Sequence, residues 1–415
     1  MAHRRVLVLA YYFPPLGGGG VQRTLKFVKY LPTAGYDPIV VTTTGVGHVL
    51  RDPGLASDVP PSAVVLRAPE LPIHVVKWKL EAVLRRLGLP ARLAQAIGWP
   101  DEFVGWAPGA LLTALRAVRR YRPDVVYSTS SPVSAHAVAL ALKQLTGVPW
   151  VADFRDAWTL NPEGAHLYRG LSRRLERAVV RHADRFVVVD DSVRIRGVPE
   201  GDPRRAVIRN GVDLDDLPAL APRSESSRFR LAHVGMLYGQ RNAAPVLTAL
   251  RNLIRHGTIG RDRVELRLVG DARVDERSTA GVPLTRRPYV DHREAVAEMR
   301  AADALLLYQP AGWNGASGKV YEYLATGRPI LCVAPPENLG SRLVAELGAG
   351  ICVAPDDSAG IEGAIERLFR SWSAGELMPS DEVRAEALRR FSRAALTREL
   401  AHVLDDARAQ SPFRG

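Results

Sequence analysis

Only two cysteines occur in 415 residues, Cys332 and Cys352, each inside an apolar β-like run. That scarcity excludes a disulfide framework and a cysteine metal cluster, and reduced core thiols are expected. No apolar run approaches the ~20 residues that cross a bilayer. The basic, apolar start MAHRRVLVLAYYF lacks a small-residue cleavage site, and Pro14-Pro15 before four glycines reads as the end of a first buried strand. A cytoplasmic location is therefore expected, with peripheral contact at the inner face of the membrane left open. Zinc-finger, helix-turn-helix and aromatic RNA-binding patterns are missing, so nucleic acid is not expected as a partner. The glycine run has neither the dinucleotide fingerprint spacing nor a Gly-Lys-Ser/Thr, which removes the usual nucleotide-loop labels.

The composition is that of a globular protein, with 47% hydrophobic and 24% charged residues. A chain of this length is too long for one ordinary core, and two domains are expected. A net charge of +12 favours anionic partners such as phosphates or an acidic membrane surface. Short unalternating apolar runs at 6–10, 39–43, 64–67, 125–128, 150–153 and 186–189 read as buried strands separated by helices. Those at 231–234, 266–269, 288–290, 304–308, 330–333 and 351–353 repeat the plan. Alternation of this kind implies α/β domains with mostly parallel sheets. The expected division is 1–205, a Pro/Gly/Ser-rich linker at 206–228, 229–390, and a terminal helix at 391–415 packing back toward the first domain.

Three stretches carry chemistry. In NGASGKVYEYLATGRPILCV (314–333), Ser317 and Gly318 open a short helix whose free amides and dipole favour an anion, with Lys319 adding a full charge. Glu322, one turn on, shares the Lys319 face and suits a pair of vicinal hydroxyls; the pair also fits an ordinary surface Lys–Glu contact. Gly17, Gly18, Gly19 and Gly20 lie where the first strand hands over to a helix, either for close approach of a ligand or as a turn required by geometry alone. Asp153, Arg155 and Asp156 sit just past a strand end. There an aspartate can orient an acceptor hydroxyl and the arginine can meet a phosphate or carboxylate, unless they form a structural pair or a helix cap. Segment 71–106 breaks the α/β rhythm. Val75, Val76, Leu80, Val83, Leu84 and Leu87 make an apolar stripe beside Lys77, Lys79, Arg85, Arg86 and Trp78. It fits either an anionic membrane surface, with Trp78 as interfacial aromatic, or a packed helical insertion.

With GGGGVQR, RNGVD, HVGMLYGQRN, LVGD and GKVYEYLATGRPIL in this order, the chain resembles the retaining glycosyltransferases of family 4 over nearly its full length. The resemblance implies the GT-B fold, two Rossmann-like α/β/α domains facing each other across a cleft. It implies a hexosyltransferase-type enzyme whose second domain binds a nucleoside diphosphate sugar and whose first holds a glycan, lipid-linked or small-molecule acceptor. No cofactor beyond that co-substrate, and no metal, is expected. By this resemblance Glu322 grips the ribose, Lys319 and Arg241 neutralise the diphosphate, and Asp153 and Asp156 are acceptor-side catalytic candidates. Gly17–Gly20, Gly235, Gly270, Asp271, Asn314, Ser317 and Gly318 complete the nucleotide-sugar site. Asn314 replaces a glutamate frequent in the family, Met236 a phosphate-binding arginine, Arg241 a lysine, and Gln22 a glutamate. A GT-B epimerase or hydrolase and a non-catalytic GT-B scaffold are the competing readings.

Overall fold

The computed structural model describes residues 3–48, 50–90, 93–94, 97–161, 168–217, 226–237, 243–270, 279–309, 312 and 314–410. The chain forms two compact units, Met1–Arg209 with Arg393–Gly415, and Asn210–Ser392.

Unit 1 runs β1 (Arg4–Leu9), α1 (Gly19–Tyr30), β2 (Tyr36–Thr43), β3 (Val64–Ala68), α2 (Ile73–Arg86), α3 (Ala107–Tyr121), β4 (Val125–Ser130), α4 (Ser134–Thr146), β5 (Trp150–Phe154), α5 (Arg169–His182), β6 (Arg185–Val188) and β7 (Arg205–Val207). Every strand pair is parallel, in the order β3-β2-β1-β4-β5-β6-β7. Leu7 and Leu9 face one cluster with Trp106 and Trp150, while Val6 and Val8 face another with Val28 and Tyr127. A strand buried on both faces cannot alternate, which is why β1 reads as an unbroken apolar run. Each such side chain contributes about 1.5–3 kcal/mol when buried.

Unit 2 runs β8 (Phe229–Val234), α6 (Ala244–Arg255), β9 (Val264–Val269), β10 (Leu284–Arg287), α7 (His292–Ala301), β11 (Ala304–Tyr308), α8 (Gly318–Thr326), β12 (Ile330–Val333), α9 (Leu339–Glu346), β13 (Gly350–Val353), α10 (Ser358–Ser373) and α11 (Asp381–Phe391). Its parallel sheet has the order β10-β9-β8-β11-β12-β13. The last helix, α12 (Arg393–Gln410), returns to unit 1 and lays Leu396, Leu400 and Leu404 into the cluster that holds Val28. In both sheets the order of strand addition reverses beside the first strand, so β1/β4 and β8/β11 are the topological switch points where ligands collect in such folds.

The strand expected at 288–290 lies earlier, at Leu284–Arg287, pairing Leu284 with Leu266 and Arg287 with Val269. It is a half-exposed edge strand whose Thr285 hydroxyl donates to Glu265 at 2.6 Å, so it carries no apolar run to read. In α2, Trp78 stays 36% exposed while making contacts within its own unit. Its indole donates to Glu102 at 3.2 Å and its ring lies 4.9 Å from His74, while Lys77 pairs with the same carboxylate at 2.9 Å. The face of α2 left in solvent holds Val76, Val83 and Leu87, with Lys79 and Arg86 flanking them. Cys332 and Cys352 are free thiols in register on β12 and β13. Among the described residues no helix is long and apolar enough to cross a membrane.

Candidate active site

Beside the unit 2 switch point, Gly235 follows β8 and Gly270 follows the neighbouring β9. The Gly235 amide donates to the Val269 carbonyl at 2.8 Å. Gly270 has φ +117°, and a Cβ there would fall 2.4 Å from the Gly235 carbonyl oxygen. Only glycine permits so close a backbone approach.

Helix α8 opens on the same edge. Its N-cap, Ser317, has the extended backbone of a cap but makes no capping bond; its hydroxyl accepts from Gln309 Nε2 at 3.0 Å instead. No acidic side chain occupies the first turn, and a Cβ on Gly318 would meet nothing within 4 Å. The positive end of the dipole is thus left for an external anion. Two anchors fix this end. Tyr323 holds α8 to β8, accepting from the Val234 amide at 2.9 Å, and Asn338 donates to the Gly315 carbonyl at 2.9 Å. The Leu339 amide bonds the carbonyl of Asn314, whose side chain is exposed. Lys319 Nζ lies 2.7 Å from Glu322 Oε2, both side chains partly open to solvent. His292 meets Asp216 at 2.8 Å nearby. Burial alone would lower its pKa, but the Asp216 bond and the negative field of Glu322 outweigh that and raise it. Arg241 and Asp271 lie outside the described residues.

At the unit 1 switch point the four glycines part company. The Gly17 amide bonds the Leu50 carbonyl at 3.1 Å, and Gly18, with φ +90°, is the N-cap of α1. Gly19 has open space where a side chain would stand. Gly20 lies under the Tyr12 ring, 3.4 Å from where its Cβ would be. Its carbonyl accepts from Arg155 Nη1 at 2.6 Å, while Nε and Nη2 of that guanidinium go to the carbonyls of Ser130 and Ser131 at 2.6 and 2.7 Å. Arg155, expected to meet a phosphate or carboxylate, instead staples the first turn of α1 to the β4–α4 turn.

Asp153 is likewise reassigned. It is 0% exposed, takes a two-pronged bond from Arg23 at 2.9 and 3.0 Å, and accepts from Tyr127 at 2.7 Å and Thr129 at 2.8 Å. Burial would raise its carboxyl, but Arg23 and the two hydroxyls outweigh that and hold it below the usual carboxylate value. With both oxygens committed inside the core, it has nothing to offer an acceptor. Asp156 remains at the surface, yet crowding by protein atoms raises its carboxyl against the pull of Arg155, helped by Asp190 and Asp153.

Sequence reasoning missed Arg23, which looks like any basic residue on a helix, and Tyr323, which looks like a core aromatic. Gln309 left one faint signal: a polar residue directly after a buried strand, on the edge where ligands gather.

The model for Glycosyltransferase Family 4 matches residues 17–216. A glycogen synthase from Mycobacterium tuberculosis is 26% identical over 392 residues, covering 90% of this chain and 87% of that protein. Among solved structures, a sucrose-phosphate synthase from Thermosynechococcus elongatus aligns with a TM-score of 0.69 at 15% identity, covering 99% of this chain and 100% of that one. An E. coli trehalose-6-phosphate protein bound with UDP-2-fluoro glucose aligns at 0.65 with 10% identity, covering 97% and 99%. The family model over residues 17–216 and the glycogen synthase relative make the chain a nucleotide-sugar-dependent glycosyltransferase similar to family 4, and its two parallel-sheet units share the GT-B fold of the solved structures.

Proposed function

We propose that the enzyme transfers a hexose from a nucleoside diphosphate sugar, with retention of anomeric configuration and without a metal, to a hydroxyl of a lipid-linked or polymeric glycan. The observation that carries the donor half is the uncapped start of α8 beside Lys319 and Glu322. Glu322 accepts from the ribose hydroxyls, and Lys319 with the first-turn amides holds the diphosphate. As the glycosidic C–O bond breaks, charge gathers on that diphosphate. Cations and amides already aimed at it bind the transition state more tightly than the ground state. Departure and attack on one face of the sugar need no protein nucleophile. The exposed Val76–Val83–Leu87 face of α2, flanked by Lys79 and Arg86, favours an acceptor carried at an anionic membrane surface. The glycogen synthase relative supports a glycan as the acceptor class.

Calorimetry with a panel of nucleoside diphosphates and their sugars tests this. One base should bind selectively, and Glu322→Ala should weaken it by about tenfold to a hundredfold, the value of one charged hydrogen bond. Equal affinity in that variant would remove the ribose-binding role. Turnover of the donor sugar to an isomer with no acceptor present would favour the epimerase reading instead.

A further inference from the structure

Strands β1, β2 and β3 end side by side in unit 1, and the segments beyond their ends converge on one histidine. Tyr11 donates its hydroxyl proton to Glu70 Oε2 at 3.0 Å and lies 2.9 Å from His48 Nε2. Glu70 is a carboxylate that only accepts: Thr43 donates to its other oxygen at 2.6 Å, the Val46 amide at 2.9 Å and Thr44 at 3.3 Å. A phenol has one proton, and Glu70 takes it. The contact with His48 must therefore be donated by the histidine, which fixes the Nε2–H tautomer and leaves a lone pair on Nδ1.

Five aromatic rings pack around His48, those of Tyr11, Tyr12, His74, Trp78 and Phe103. His74 and Phe103 lie near-parallel to it at 5.3 and 5.7 Å and are themselves 5.4 Å apart. Rings on opposite faces would be separated by about 7 Å, twice a carbon contact, so both cover the same side. Tyr12 and Trp78 stand edge-on to His48, each with its ring centre 6.0 Å away. His74 is buried, whereas Tyr12, His48 and Trp78 each remain partly in solvent. Burial and His74 hold His48 below the usual histidine value, with Arg51 adding to this and Glu70 and Glu102 opposing it. It is neutral near pH 7.

We propose that His48 Nδ1, with the rings of Tyr12 and Trp78, is the acceptor subsite of unit 1, and that it takes an uncharged sugar ring. The C–H face of the sugar lies on the aromatic surface and one sugar hydroxyl donates to Nδ1. Three observations select that class. A fixed lone pair asks for an O–H donor; amphipathic rings suit the face of a sugar; and the carboxylates of Glu70 and Glu102, which act on His48 against Arg51, disfavour an anion. Tyr11 and Glu70 are positioning residues that hold the imidazole in the accepting tautomer. This subsite rests on the glycosyltransferase reading, and Tyr12 joins it to the donor-side loop because its ring packs on Gly20.

The test uses the full chain and methyl glycosides of glucose, galactose, mannose and N-acetylglucosamine, read by saturation-transfer NMR. The expected result is transfer to the ring C–H protons of one glycoside, lost in His48→Ala and Trp78→Ala while nucleotide affinity and Tm stay near wild type. Tyr11→Phe should shift the 15N signals of His48 toward a tautomer mixture and weaken glycoside binding by roughly tenfold, one hydrogen bond's worth. Unchanged glycoside signals in His48→Ala and Trp78→Ala, or binding of p-nitrophenol in place of every glycoside, would overturn the proposal. A protein that binds no nucleotide at all would instead sink the donor reading on which it rests.

Discussion

Replacing Asp153 by Asn removes one charge from the core of unit 1 and almost no volume. In the native protein Arg23 and Asp153 are both buried, and the carboxylate satisfies two guanidinium nitrogens and two hydroxyls. The amide leaves the guanidinium without its counter-charge and presents an N–H where an acceptor is needed. Breaking one partner of a buried pair costs about 3–5 kcal/mol. In a domain of roughly 200 residues each kcal/mol moves Tm by about 2–4 °C, so the unit 1 transition should fall by about 6–20 °C. The double variant Arg23→Met/Asp153→Leu should recover most of that, since no lone charge is left behind. The native carboxyl is held below its unfolded value, so its contribution is fully present above about pH 4 and fades as the pH falls through the folded value. Calorimetric melts from pH 3 to 7 check both statements. An Asp153→Asn protein that melts with the wild type but has lost sugar transfer would refute the reasoning and return Asp153 to the acceptor.

Gly270→Ala should destabilise unit 2 by more than about 1 kcal/mol, because its Cβ meets the Gly235 carbonyl at 2.4 Å and its φ is +117°. Gly318→Ala meets nothing and should leave Tm level or slightly raised, so any effect on nucleotide binding reports on the ligand alone. His292 has a raised pKa in the folded protein, so its bond to Asp216 stabilises fully below about pH 6.5 and is lost as the pH rises through the folded value. Thermal melts of wild type and His292→Gln should therefore converge above that value and diverge below it. Val83→Asp on the open face of α2 should abolish co-sedimentation with phosphatidylglycerol vesicles and leave nucleotide affinity unchanged; undiminished vesicle binding would remove α2 as the membrane face.

Buried parallel strands were legible because a strand covered on both faces needs an unbroken apolar run, as in Val6–Ala10 or Leu305–Leu307. The edge strand Leu284–Arg287 was not, because half of it faces solvent and its polar side chains bond to Glu265, Glu294 and Glu298. Helix α8 was legible to within a residue, since a glycine-rich entry and Gly327-Arg328-Pro329 punctuate it at both ends. That Ser317 leaves its own helix uncapped was hidden, because the reason is Gln309, eight residues earlier in the chain.

By itself the sequence determined two α/β units, their glycine-marked strand ends, and a cation and a carboxylate one turn apart at the start of a helix. These are local properties, written in periodicity and spacing. Only the tertiary structure decided which charged groups are available to a ligand. Asp153 and Arg23 are 130 residues apart in the chain and 2.9 Å apart in the core; Arg155 is spent on three carbonyls; Tyr11 hands its proton to Glu70 and so sets the tautomer of His48. A polar side chain is functional or structural according to whether its bonds are already made, and the partners that make them are brought together only by the fold.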